Sequence, residues 1–171
     1  MDPRSLIEDL LGSPVASMSP LTGGCIAEVY RVRLADGRDL AVKVEMGDEP
    51  ALDLEAGMLA ALSAHAPTPR VEAAGERVLA MEFVDHAGGG SEGGYRRLGE
   101  IVAALHAVTA PAYGFDTDTR IGPIRLTNGR HADWNRFYFE RRLLPVCELA
   151  AARGALPGGF MRRLDEFGRR L

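Results

Sequence analysis

Leu21-Thr-Gly-Gly-Cys-Ile-Ala-Glu-Val-Tyr30 and Leu40-Ala-Val-Lys-Val-Glu45 are the two stretches that decide the fold of this chain. A glycine turn lies between apolar runs, and the strand after it is joined through Ala35-Asp-Gly-Arg38 to an apolar strand holding a single lysine. Asp-Gly between apolar runs signals a hairpin, because both turn positions tolerate positive φ. Backbone N–H groups in a glycine turn can point at phosphate oxygens when no Cβ blocks the approach, so Gly23 and Gly24 are candidates to cover a triphosphate. Taken alone, a Gly-Gly pair before a strand is more often a plain turn. The pattern is not a Walker A loop, since no Gly-Lys-Ser/Thr follows and the lysine arrives two strands later.

Around these stretches, apolar alternation predicts strands over 15–21, 29–34 and 39–44, and a helix over 52–62 ended by Ala66-Pro-Thr-Pro69. A second hairpin, 70–73 with 78–84, turns across Ala74-Gly-Glu-Arg77. The expected fold class is therefore α+β, with five antiparallel strands and one helix inserted after the third. Ahead of the sheet, Asp2-Pro3 opens a short helix with Leu6, Ile7, Leu10 and Leu11 on its apolar side and Gly12 as its stop, read as a flap on the sheet. Ala87-Gly-Gly-Gly-Ser-Glu-Gly-Gly94 is the one low-complexity stretch. It divides a first lobe, 1–86, from a second, 95–171. In the second, 95–108, 134–153 and 160–171 read as helices and 110–130 as loop.

Composition narrows the function class. With 171 residues, 46% hydrophobic and 26% charged, the chain can fold as one domain or two small lobes. A net charge of -4 provides no basic field for nucleic acid, and the arginine pairs at 96–97, 141–142, 162–163 and 169–170 read as solvated helix faces. No apolar run approaches the roughly 20 residues needed to span a bilayer, and no signal-peptide core follows Met1. The cytoplasm is the expected compartment. Two cysteines, Cys25 and Cys147, are too few for a metal site or a disulfide framework, so no metal site is expected.

Strand alternation sets Ala41 and Lys43 on one face and Leu40, Val42 and Val44 on the other. A small residue beside a lone lysine suits an adenine ring with its phosphates alongside; the alternative is an edge-strand lysine that blunts aggregation. Glu55 precedes Met58, Leu59 and Leu62 at helical spacing, which sets a carboxylate on the apolar stripe, where it either meets the Lys43 ammonium or flanks the stripe in solvent. Met81, Glu82, Phe83 and Val84 end the last strand, where backbone groups could read an adenine edge.

This ordered set resembles the amino-terminal part of the fructosamine kinase (ketosamine-3-kinase) family, relatives of aminoglycoside phosphotransferases and protein kinases. The motifs are Leu21-Thr-Gly-Gly-Cys-Ile26, Leu40-Ala-Val-Lys-Val-Glu45, Glu55-Ala-Gly-Met-Leu-Ala-Ala-Leu62, Leu79-Ala-Met-Glu-Phe-Val84, Leu98-Gly-Glu-Ile-Val-Ala-Ala-Leu-His106 and Tyr113-Gly-Phe-Asp116, continued by Asn128, Trp134 and 137–143. The resemblance implies a protein-kinase-like fold and ATP-dependent phosphorylation of a sugar hydroxyl on a ketosamine, a glycated amine. It assigns Lys43 to the phosphates, Glu55 to its orientation and 81–84 to the hinge. Aligned on Val29, the glycine loop keeps only Gly24 of the protein-kinase form, which suits a small-molecule substrate. Cys25 stands where many members carry a loop cysteine linked to redox control; the alternative is a buried small hydrophobe.

In this family the proton-accepting carboxylate and the Mg²⁺ ligands belong to a His-Gly-Asp loop and a later aspartate. None of the four histidines here precedes Gly-Asp. Asp165-Glu-Phe-Gly168 resembles a metal-binding Asp-Phe-Gly but has an extra residue. The expected base and metal aspartates lie beyond Leu171, and Mg²⁺ is expected only with the rest of the second lobe. Two readings follow: the ATP-binding part of a kinase, or a non-catalytic nucleotide-binding or redox-regulated module. The 171 residues alone are expected to be inactive or nearly so, with Phe137, Phe139, Leu143 and Leu144 forming an unburied apolar patch, and a homodimer is left open.

Overall fold

The computed structural model describes residues 2–21, 27–85, 90–122 and 124–171. Contacts within the chain divide it into two compact units, Met1–Val108 and Thr109–Leu171.

The first unit is built on an antiparallel five-stranded sheet in the order β1-β2-β3-β5-β4, with β1 Val15–Pro20, β2 Glu28–Leu34, β3 Asp39–Val44, β4 Val71–Ala74 and β5 Val78–Glu82. The expected strands, their antiparallel pairing and the inserted helix are all present. The hairpin between β2 and β3 turns at Gly37, whose φ of 92° only glycine adopts without strain, and Asp36 accepts a hydrogen bond from the Arg38 N–H.

Alternation along the strands gives the sheet two different faces. On one, Val32, Leu34, Leu40, Val42, Val44, Val78 and Ala80 form the main core with Ile7 of α1, Pro3–Leu11. The helix starts at Asp2 and Pro3 and stops at Gly12 in the left-handed region, as the sequence reading requires. Burying a side chain such as Ile7 contributes about 2 kcal/mol. The other face is covered by α2, Leu52–Ser63, through a smaller cluster of Leu52, Leu79 and Met81 with Ala56 and Leu59 packed on it.

Helix α3, Glu92–His106, begins three residues earlier than expected, within the glycine-rich stretch, because Ser91 caps it by accepting from the Gly94 N–H at 3.0 Å. None of its residues is buried, and Leu98 and Val102 of its apolar stripe are exposed.

The second unit corrects several expectations. The stretch 110–130 holds a hairpin, β6 Thr119–Ile121 with β7 Ile124–Leu126. These strands are too short for alternation to reveal them. The helix expected over 134–153 is three pieces: α4 Trp134–Tyr138, a π-helical turn Phe139–Leu143, and α5 Leu144–Ala152. Pro145 explains the break, since it has no N–H for the Arg141 carbonyl. That carbonyl instead accepts from Arg142 Nη1 at 2.8 Å. The expected apolar patch is also altered, because Phe137 is buried, while Tyr113, Trp134, Tyr138 and Phe167 are exposed rings. The last helix is α6, Phe160–Gly168, which buries Leu164 and sets Phe167 against Phe139.

The arginines at 141–142 are not a solvated face. Arg142 donates to Thr127 O at 3.1 Å and to Asn128 Oδ1, and its guanidinium lies 4.7 Å from the centre of the Phe137 ring. Among the described residues no helix is long and apolar enough to cross a membrane, and no cluster of His, Cys, Asp or Glu suits a metal ion.

Candidate active site

Five of the expected site residues, Val29, Ala41, Lys43, Glu55 and Met81, are on the second sheet face or on the helix that covers it. In the antiparallel register Val29 is opposite Lys43, Arg31 is opposite Ala41, and Ala41 is opposite Met81 on its other side. Directly opposed residues share a face, so Val29, Ala41, Lys43 and Met81 all lie on the side carrying α2. Met81 is buried under α2, whereas Val29, Ala41 and Lys43 remain partly open.

Lys43 Nζ donates to Glu55 Oε1, and the two side chains are 28% and 30% exposed. Of the two readings of Glu55, the ion pair is the one realised. The carboxylate stands in the first turn of α2, and the start of that helix is tied to β3 by a residue that sequence reasoning quoted only as part of a motif. Glu45, just past the end of β3, is 7% exposed, and its carboxylate accepts from the Ala51 N–H at 3.1 Å. The Leu52 N–H donates to Glu76 O at 2.8 Å, and Arg77 Nη1 donates to the carbonyls of Glu45 and Gly47 at 3.3 and 2.9 Å. The signal that could have marked Glu45 as the anchor for the helix is its place two residues after the strand lysine, at the end of an apolar run.

At the far end of this face β5 stops at Glu82, two residues before the expected 84. The Glu82 N–H donates to Arg70 O at 2.8 Å, so it is already engaged. The ladder to β3 ends at the Leu40–Glu82 pair, and outside it no backbone hydrogen bond among the described residues involves 83–85. Val84 is exposed, and the Phe83 ring lies beneath the Arg31 guanidinium, 4.0 Å from its carbon to the ring centre. Gly23, Gly24 and Cys25 lie outside the described residues.

The face can therefore present one oriented ammonium, a small side chain beside it and the segment that leaves β5 at its end, an arrangement able to hold a nucleotide triphosphate. The model of the fructosamine kinase family matches residues 2–169. The chain belongs to the fructosamine kinase family. Similar proteins agree. A protein named as a probable ketoamine kinase from Enterococcus faecium is 28% identical over 88% of this chain and 53% of its own length. The chloroplastic protein-ribulosamine 3-kinase of Arabidopsis thaliana is 32% identical over 75% of this chain and 42% of its own length. A crystal structure from Thermobifida fusca, assigned as a fructosamine-3-kinase, is 34% identical and superposes with a TM-score of 0.77 over 98% of this chain and 62% of that one. A second, from Haemophilus somnus, shares the fold at 21% identity and a TM-score of 0.71. The chain spans about half the length of the curated relatives it matches. As a fructosamine kinase family member it has a kinase-like α+β fold, and kinases of this family transfer a phosphoryl group.

Proposed function

We propose that this chain supplies the ATP-binding part of a kinase that phosphorylates a sugar hydroxyl on a ketosamine. The observation that carries the reading is the Lys43–Glu55 ion pair on the open sheet face beside Ala41 and Val29. ATP supplies the phosphoryl group. Lys43, held by Glu55, sets a positive charge at the α and β phosphates; Ala41 leaves room for the adenine; Met81 and Val29 line it; and the backbone beyond Glu82 reads its edge through Phe83 and Val84. Gly23 and Gly24 cover the phosphates, and Cys25 beside them is the thiol through which oxidation would act.

The sequence has no His-Gly-Asp run to supply a base carboxylate and hold Mg²⁺. That supports nucleotide binding with weak or no turnover by these 171 residues assayed alone. The proposed setting is the cytoplasm, with ATP and a glycated amine as partners. The names of the relatives, ketoamine and ribulosamine kinases, support an amine-sugar adduct as the substrate class.

Calorimetric titration of the chain with MgATP, followed by incubation with ATP and a fructosyl amine, tests this. The expected result is ATP binding that is lost in Lys43→Ala, with little phosphorylated amine. Absence of ATP binding overturns the reading, and efficient Lys43-dependent phosphorylation overturns its restriction to binding.

A further inference from the structure

The candidate nucleotide face carries a second cation that the phosphate-binding reading does not use. Arg31 stands on β2, opposite Ala41 and two residues along from Val29, the partner of Lys43. Two residues of strand amount to about 7 Å. Arg31 is thus displaced from the phosphate end toward the end where 83–85 leaves the sheet.

Its guanidinium is held on two sides. Nε and Nη2 donate to the two carboxylate oxygens of Asp39 at 3.2 and 2.7 Å, and Arg33 Nη2 adds a bond to the same carboxylate at 3.3 Å. The plane so fixed lies over the Phe83 ring at 4.0 Å. An exposed ion pair by itself stabilises little. A planar fork locked by a carboxylate and stacked on an aromatic ring is different, because each contact fixes the orientation needed by the other. Phe83 is the first residue after β5, so the stack ties the departing segment back to β2 across the width of β3.

We propose that Arg31 is a positioning residue for the nucleotide base: through Asp39 and Phe83 it holds the 83–85 segment in register with the sheet, so that its backbone groups meet the base bound over Ala41. This rests on the reading of Lys43 as the phosphate-gripping group. Asp39 already compensates the charge of Arg31, so its effect falls on the base end and not on the phosphates. A substitution at Arg31 should separate the two ends of the ligand.

The test is calorimetric titration of the full chain and its variants with MgATP and with magnesium triphosphate, the inorganic anion without a base. Lys43→Ala should weaken both ligands. Arg31→Ala should weaken ATP about fivefold and leave inorganic triphosphate within twofold. Arg31→Lys should not restore ATP affinity, because an ammonium has neither the fork nor the plane. Asp39→Asn, which keeps the shape and alters only the pairing, should weaken ATP in the same direction by a smaller factor. Unchanged ATP affinity in Arg31→Ala, equal losses for ATP and triphosphate, or full rescue by lysine would overturn the proposal while leaving the Lys43 reading intact. If Lys43→Ala changes neither ligand, or the chain binds neither, the reading of the site falls and this proposal with it.

Discussion

Lys43 on β3 and Glu55 on α2, twelve residues apart in sequence, are joined in an ion pair on the sheet face that carries Val29, Ala41 and Met81. Both side chains are about one-third exposed, so water screens the pair and its share of stability is small. Its value is orientation: a flexible four-carbon stem is held at one place on an open surface. Lys43→Ala should therefore shift stability by about 1 kcal/mol or less. The same change should reduce ATP affinity by about tenfold or more. Denaturant titration beside calorimetry separates the two effects.

Glu45 has the opposite balance. It is buried, and its carboxylate accepts from the Ala51 N–H at the start of α2. Glu45→Ala leaves that donor without its partner and should destabilise the first unit by about 2 kcal/mol, read as a lower midpoint in urea. ATP affinity should fall as well, because α2 carries Glu55.

Gly114 has a φ of 105°, and a Cβ there would stand 1.9 Å from the Gly129 carbonyl oxygen. Backbone cannot yield as a side-chain tip can. Gly114→Ala should cost the second unit about 3 kcal/mol or more, measured as a loss of hydrogen-exchange protection around the Tyr113–His131 bridge.

Asn128 is buried, and its amide donates to Thr117 O at 2.8 Å and Thr119 Oγ1 at 3.1 Å while its oxygen accepts from Arg142. Asn128→Leu keeps the branched heavy-atom skeleton, adds some bulk and strands these partners. A loss of about 2 kcal/mol is expected, seen as earlier exchange of the β6–β7 hairpin amides with the sheet of the first unit unaffected.

Arg38 donates to Asp36 through both its side chain and its backbone, and these bonds lower the Asp36 carboxyl to about 2. A depressed carboxylate contributes stability that is present above its ordinary value near 3.8 and is lost as pH falls toward 2. Asp36→Asn should therefore flatten the fall in melting temperature between pH 4 and pH 2 and change nothing at pH 7 beyond the loss of the ion pair. An unchanged acid limb would show that Asp36 does not contribute to it.

Much of the first unit was legible in the sequence because its signals are local and periodic. Leu40, Val42 and Val44 alternate with Ala41 and Lys43, Asp36-Gly37 closes the hairpin, and Pro3 and Gly12 bound α1. Glu55 was legible as a charge on an apolar stripe, though only the fold shows that Lys43 answers it. The second unit was less readable. Strands β6 and β7 have three residues each, too few for a period. Pro145 breaks a helix that hydrophobicity alone continues. Arg142 looked like surface charge, yet it serves the Thr127 carbonyl and the Asn128 amide, both brought near only by the fold. Arg31 was missed for the same reason, since Asp39 and Phe83 reach it only through the strand register.

A double-mutant cycle on ATP affinity with Lys43→Ala, Glu55→Ala and the pair together measures whether Glu55 orients Lys43 toward the nucleotide. If Glu55 acts through Lys43, each single change weakens ATP, and the double variant binds no more weakly than Lys43→Ala alone. Losses that simply add would show that Glu55 does not act through Lys43, and full ATP affinity without Lys43 would show that the lysine does not hold the phosphates.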